Sequence, residues 1–212
     1  QSNKVGTIGH LGCFSFHPRK MLTTGEGGLV VSTDAHLIQR IKRLKNHGIE
    51  RSEQGVDFVE AGHNFRMTDF QAALGLGQLP KLDQWIKQRH DLVKLYQEGL
   101  TDQLAHHFLS LPQYHAGHSW QSFMVVLDQK INRDFVIQEL RKQGIESNIG
   151  AQCISMISHI QESKTERQVA HLEHSINIGR QGLALPMCEQ YGKAEITQVI
   201  KTLEDIIIKL NA

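Results

Sequence analysis

The stretch "CFSFHPRKMLTTGEGGLVVS", Cys13 to Ser32, decides how the rest of the chain is read. An apolar, β-prone run with Phe14 and Phe16 around Ser15 gives way to a lone lysine, Lys20. Then come "TTGEGG" and a second β-prone run, "LVVS". Two short strands bracketing a tight loop is the pattern this makes. The glycines admit positive φ and a close approach of backbone to a ligand, and such a loop can aim N–H groups at an anion.

Most lysines are solvated, so the setting of Lys20 is what singles it out. An amine made nucleophilic by partial burial or by a nearby cation can condense with an aldehyde, which is the capture chemistry that pyridoxal phosphate requires. That cofactor also needs a cradle for its phosphate, for which the Ser15 hydroxyl is a candidate, and a carboxylate that keeps its pyridine nitrogen protonated.

The 212 residues are enough for one large domain or two small ones, and 40% hydrophobic content argues against a disordered chain. Lys and Arg number 23 against 22 Asp and Glu, so no global field favours nucleic acid or an anionic membrane, and any anion must be bound locally. The basic run Arg40, Lys42, Arg43 and Lys45 lines the polar face of a helix and lacks the interleaved aromatics of a single-strand binder. Cys13, Cys153 and Cys188 are odd in number and form no CxxC pair, so a reducing, cytoplasmic location is expected. No apolar run approaches the length of a membrane span.

Outward from the loop, Asp34 can cap a helix with Leu37, Ile38, Ile41 and Leu44 along one stripe, closed by Gly48. Residues 49–63 read as a surface loop. Thr68 and Gln71 make a capping box that opens a helix with Phe70, Ala73, Leu74 and Gly77 on one side. Pro80 should kink or restart it, after which Leu82, Trp85, Ile86, Leu92, Val93 and Tyr96 continue an apolar face toward Gly99. A second unit is expected from Leu104: a strand at "SFMVVL", a helix capped by Asn132 and ended by Gly144, a returning strand at "IES", a helix bearing Val169, Leu172 and Ile176, a strand at "GLALP", and a final helix with Ile196, Val199, Ile200, Leu203, Ile206 and Leu210.

The segments "GTIGHLGCFSFHPRKMLTTGEGGLVVS" and "AGHNFRMTDFQAALGLGQLPKLD" together resemble the DegT/DnrJ/StrS sugar aminotransferases, pyridoxal-phosphate enzymes of fold type I. The resemblance is specific because the serine-to-lysine spacing, the "TTGEGG" and the Asn64–Arg66–Met67 helix entry occur in one order; it extends more loosely through "NRDFVIQELRKQGI" and "GLALPM". It implies an α/β chain: residues 1–103 as the C-terminal part of the pyridoxal-phosphate-binding large domain with a long connecting helix, and 104–212 as a small α+β domain. It makes Lys20 the catalytic, Schiff-base lysine, Ser15 the phosphate-contacting serine, and Asn64 a cofactor contact. Arg66, His17 and His159 are further candidates for substrate or neighbouring-subunit contact. It also implies a homodimer, a nucleotide-sugar substrate and an amino-acid donor, glutamate.

The family runs to nearly twice this length, and the N-terminal part of its members, which this sequence does not include, supplies the pyridine aspartate, the ring-stacking side chain and further phosphate-binding backbone. None of Asp34, Asp57 or Asp69 stands where that aspartate belongs. "NIGAQCISMISHIQES" departs from the histidine-tyrosine pattern usual in the small domain, although His159 keeps a matching place. The chain is therefore expected to be a C-terminal portion, weak or inactive alone. The competing expectation is a non-catalytic fragment or split-gene product that keeps only folding and dimerisation surfaces. Relatives that eliminate water from the sugar carry histidine where Lys20 stands, which argues against that reaction. The pairs His115/His118 and His171/His174 lack converging carboxylates or thiols, so no metal is assigned.

Overall fold

Strand β1 (Gly12–Ser15) pairs antiparallel with β2 (Gly28–Val31), with Ser15 opposite Gly28 at the mouth of the intervening loop. The strands belong to a computed structural model in which residues 4–104, 107–162 and 172–211 are described. It divides into two compact units, Gln1–Asp83 and Gln84–Ala212.

In the first unit, the Asp34 carboxylate accepts from the backbone N–H groups of His36 and Leu37, at 2.8 and 3.3 Å, and so starts α1 (Ala35–Leu44) as its sequence predicts. Beyond α1, Gly48 has φ +72° and its N–H donates to the Arg43 carbonyl at 2.9 Å; a Cβ there would overlap the carbonyl of Glu60, so glycine is required. The segment expected to be an irregular loop instead contains a hairpin, β3 (Ile49–Ser52) and β4 (Gly55–Phe58), turning at Gly55 with φ +126°. Thr68 and Gln71 form the expected capping box at the start of α2 (Asp69–Gln78). Pro80 does break the helix, as one 3₁₀ turn, Leu79–Lys81.

This unit carries little core of its own. Among its described residues only Gly12, Thr24 and Gly48 are buried, while Phe58, Phe65, Phe70 and Leu76 are largely open to solvent. Surface of that extent normally marks a face made to be covered.

The second unit has a proper core. Helix α3 (Leu82–Leu104) passes through Gly99 rather than ending there, and Gly99 lies against Ile200, where a Cβ would intrude. Its buried apolar side chains, Leu92, Val93, Tyr96, Leu100 and Leu104, all join the second core. The boundary between the two compact units falls at Asp83/Gln84, so nearly all of α3 is counted with the second. The sheet is antiparallel in the order β5-β6-β8-β7, from β5 (Phe108–Ser110), β6 (Phe123–Leu127), β7 (Asn148–Ile149) and β8 (Gly182–Leu185).

Helix α4 (Arg133–Lys142) starts on the Asn132 side chain, which accepts from the Phe135 N–H at 3.1 Å, and Gly144 follows it with φ +75°. The expected strand at "IES" lies later, at Asn148–Ile149, since Ile145 and Ser147 are spent on burial before pairing begins. Helices α5 (Ser158–Glu162), α6 (Glu173–Gln181) and α7 (Lys193–Asn211) complete the unit. Val169 and His171 lie outside the described residues. Along α7, Ile196, Val199, Ile200, Leu203 and Ile206 are buried as the spacing in the sequence predicts, joined by Ile207, whereas Leu210 is exposed near the helix end.

Tyr96 stacks on Phe123, with ring centroids 4.8 Å apart, and donates its hydroxyl proton to the Pro186 carbonyl at 2.8 Å. Burial, and secondarily the nearby Tyr191, push its phenol pKa up. A raised folded-state value favours the neutral phenol, so this stability is complete below the unfolded value of about 10 and is lost as pH rises above it. Unfolding free energy is expected to fall by about 1.4 kcal/mol per pH unit above roughly pH 10 from this group alone. Tyr96→Phe should flatten that slope by the same amount in urea titrations, and an unchanged slope would refute the assignment.

Candidate active site

The loop between β1 and β2 is held from within by its own backbone. The Phe16 N–H donates to the Gly27 carbonyl at 2.9 Å, and the Thr24 N–H to the Phe16 carbonyl at 3.0 Å, extending the ladder past the strands. The Thr23 hydroxyl donates to the same Phe16 carbonyl at 2.9 Å and accepts from the Gly25 N–H at 3.0 Å. Thr24, nearly fully buried, donates its hydroxyl to the Glu26 carbonyl at 2.8 Å. Gly25 has φ +80°, and at Gly27 (φ +156°) an added Cβ would meet the Thr24 hydroxyl.

Lys20 sits within the excursion so enclosed. It is exposed, and its amine has no hydrogen-bond or ion-pair partner among the described residues. The partial burial expected of a reactive lysine is therefore not provided by the described residues of this unit. Nor, among the described residues, does a hydrogen bond join the Lys20 amine to the Ser15 hydroxyl. The His17 backbone links the two residues instead: its N–H donates to Ser15 Oγ at 3.2 Å and its carbonyl accepts from the Lys20 N–H at 2.8 Å. The His17 ring accepts from the Arg19 N–H at Nδ1, 3.1 Å, and its Nε2 lies 3.9 Å from Glu26 Oε1. His17 thus organises the loop from within, a role that was not assigned from sequence and that the short spacing Ser15–His17–Lys20 could have suggested.

Asn64 and Arg66 come together as their proximity in sequence implies. Arg66 Nε donates to Asn64 Oδ1 at 2.8 Å, and Nη1 to Asn46 Oδ1 at 3.3 Å, while Asn64 bridges to Asn46 through its backbone. No described bond joins Asn64 to the Lys20 loop. Arg66 does line a cleft of about 730 Å³ with Phe14, Glu26, Gly27, Met67 and Gln71. His159 belongs to the second unit, exposed on α5. Among the described residues no three His, Cys, Asp or Glu side chains converge as metal ligands, and no described helix is long and apolar enough to cross a membrane. His115 and His118 each turn Nδ1 to a nearby backbone N–H, of Gly117 and Trp120.

The donor set fits part of a pyridoxal phosphate holder: an amine free to be captured, a hydroxyl for a phosphate oxygen, and glycines that leave the return arm open. It does not supply the pyridine carboxylate. Asp34 is committed to capping α1, the Asp57 carboxylate accepts from the Phe58 N–H at 2.8 Å, and Asp69 opens α2.

The α/β fold matches that of solved sugar aminotransferases over nearly the whole chain. The chain belongs to the DegT/DnrJ/EryC1/StrS aminotransferase family, whose sequence profile matches residues 1–204. It is 30% identical to the UDP-4-amino-4-deoxy-L-arabinose–oxoglutarate aminotransferase of Shewanella sediminis, over 96% of this chain and 55% of that protein. Among solved structures it is similar to Helicobacter pylori PseC, an aminotransferase of pseudoaminic acid biosynthesis, at TM-score 0.86 and 25% identity, covering 97% of this chain and 55% of that one. The fold also matches a sugar aminotransferase of Streptococcus pneumoniae solved in its PLP form, at TM-score 0.83 and 24% identity, over 99% of this chain and 54% of that one. The chain thus spans about half the length of the relatives it matches.

Proposed function

We propose that the full-length protein is a pyridoxal-phosphate-dependent aminotransferase, acting as a homodimer, that moves an amino group from glutamate to a keto group on a nucleotide-linked sugar. The observation that carries this reading is the loop itself: an unpartnered amine at Lys20, a stem hydroxyl at Ser15 and an open glycine return arm, in a chain of this family. The sugar and the donor are inferred from the Shewanella sediminis relative, whose name specifies a UDP-linked amino sugar and oxoglutarate. Oxoglutarate is what glutamate becomes on losing its amino group. The cofactor is inferred from the family and from the PLP-form structure of the same fold.

Pyridoxal phosphate, when bound, supplies the electron sink that makes a carbon-bound proton acidic. Lys20 Nζ would hold the cofactor and would move the proton, as a base at the donor α-carbon and then as an acid toward the cofactor carbon. Ser15 Oγ already accepts from the His17 N–H, so its own proton remains available for a phosphate oxygen. Asn64 and Arg66 would serve the cofactor phosphate or substrate across the dimer. His159 would be a substrate contact of the small domain. The aspartate for the pyridine nitrogen would come from residues outside this chain.

The test is to incubate the full-length protein with pyridoxal phosphate, reduce with borohydride and map the label by mass spectrometry. Label on Lys20 is expected; label spread over surface lysines would refute the reading. One observation favours a second reading, a non-catalytic fragment: among its described residues the first unit has no large apolar side chain buried, and Asp34 and Asp57 are committed to nearby backbone N–H groups. Mixing the 212-residue chain with a complementary N-terminal polypeptide should restore cofactor retention if the enzymatic reading holds, whereas retention by neither chain nor mixture supports the fragment.

A further inference from the structure

Helix α2 is turned opposite to what its composition suggests. Phe70, Leu74 and Leu76 face solvent, whereas Gln71, Gly75 and Gln78 lie on the less exposed side. These three positions share one face, spaced four and three residues apart, and that face meets the return arm of the Lys20 loop. Gln78 pairs with the Thr23 backbone on both sides: its Oε1 accepts from the Thr23 N–H at 3.1 Å and its Nε2 donates to the Thr23 carbonyl at 2.7 Å. One primary amide here plays the part of a neighbouring β-strand. Nε2 also donates to the Leu74 carbonyl at 2.8 Å, which fixes the side chain on its own helix.

Gln71 divides its amide between two tasks. Oε1 completes the capping box by accepting from the Thr68 N–H at 3.0 Å, and Nε2 donates to the Glu26 carbonyl at 2.9 Å. Between the two glutamines, Gly75 leaves room for Thr24, whose Cγ2 would stand 3.2 Å from an added Cβ. By contrast, a Cβ on Gly77 would meet nothing. The cost of Gly75 in a helix therefore has a local reason, namely the approach of the loop.

We propose that Gln71 and Gln78 are positioning residues that grip the Thr23–Glu26 arm and thereby hold Lys20 where it can capture its cofactor. The inference rests on the cofactor reading given above. It follows from loop mechanics: Lys20 itself is tied only through its backbone to His17, so the placement of its amine depends on how firmly the two stems are anchored. One stem is the β1 end; the other is held to α2 by three side-chain bonds, two from Gln78 and one from Gln71.

Two variants of the full-length protein separate this role from general folding. Gln78→Leu removes the paired bonds to Thr23. Gln71→Glu keeps an oxygen for the capping box, as glutamate does at that position, and removes only the donor to Glu26. Gly77→Ala, on the open side of the same helix, is the control. Hydrogen exchange is read for the peptide covering residues 16–27 and for the α2 peptide, and the rate of borohydride-stable labelling by pyridoxal phosphate is read at Lys20 and at exposed Lys94.

For Gln78→Leu, loop exchange should quicken by roughly tenfold, the equivalent of about one lost hydrogen bond. Lys20 labelling should slow while Lys94 labelling and α2 protection hold. Gln71→Glu should show the same pattern more weakly, and Gly77→Ala should leave loop exchange and Lys20 labelling unchanged while α2 protection holds or rises. Unaltered loop exchange in both glutamine variants overturns the grip, as does loss of α2 protection in both together with slowed labelling, since the helix and not the grip would then be at fault. An unsubstituted protein whose Lys20 is not labelled overturns the cofactor reading instead, whatever the exchange shows.

Discussion

Lys20→Ala in the full-length protein is expected to abolish the borohydride-stable label and to lower turnover by about 10²–10⁴-fold, the usual range for loss of a positioned proton carrier. The loss should be chemical and not structural. Lys20 contributes to the fold only through its backbone N–H, which alanine keeps, and its side chain is exposed without a partner. Stability is accordingly expected to change by no more than about 0.5 kcal/mol. Because the site of the amine is open to solvent within this unit, an added small amine such as methylamine should restore part of the turnover in the alanine variant. Turnover by Lys20→Ala within about tenfold of the unsubstituted protein would remove Lys20 from the chemistry, because an acid-base group normally accounts for more than that.

What could be read in advance follows the range of the interactions. The caps at Asp34, Thr68 and Asn132 bond to backbone two or three residues away, so the sequence contains both partners within one turn. The β3–β4 hairpin was not legible because neither face of it is buried: the pattern that betrays a strand is an alternation of burial, and Ile49–Phe58 has none. The loop around Lys20 was legible as strand, glycines and amine, but its bracing was not. Gln78 meets Thr23 across 55 positions of sequence, and Gln71 was already accounted for by its cap, so nothing local announced its second bond. The expected burial of Lys20 failed for a related reason. Desolvation of an amine is a property of everything packed around it, and the first unit buries no apolar side chain among its described residues.

Arg89 was equally hidden, one basic residue among several on α3, and its replacement by methionine is expected to destabilise the second unit by about 3–5 kcal/mol. Only 5% of its surface is exposed. Nη1 donates to the carbonyls of Trp120 and Gln121, at 3.1 and 3.2 Å, and Nη2 to Glu189 Oε2 at 3.0 Å. One guanidinium thus ties α3 to the approach of β6 and to the segment after β8. It also holds Trp120 in an unfavourable backbone conformation, φ +52°, with the indole packed on His118 at 4.4 Å between ring centroids. Methionine matches the stem but removes the donors to two carbonyls and to a half-buried carboxylate, and the partly buried charge left behind is the larger part of the penalty. Arg89→Lys should cost less, since one ammonium can reach the carboxylate but cannot reproduce the fork. Adding Glu189→Leu to Arg89→Met should recover part of the loss by removing the stranded charge. Urea unfolding of the single and double variants, followed by tryptophan fluorescence, measures each step; a loss below about 1 kcal/mol for Arg89→Met would show the pair to be no stronger than an exposed ion pair.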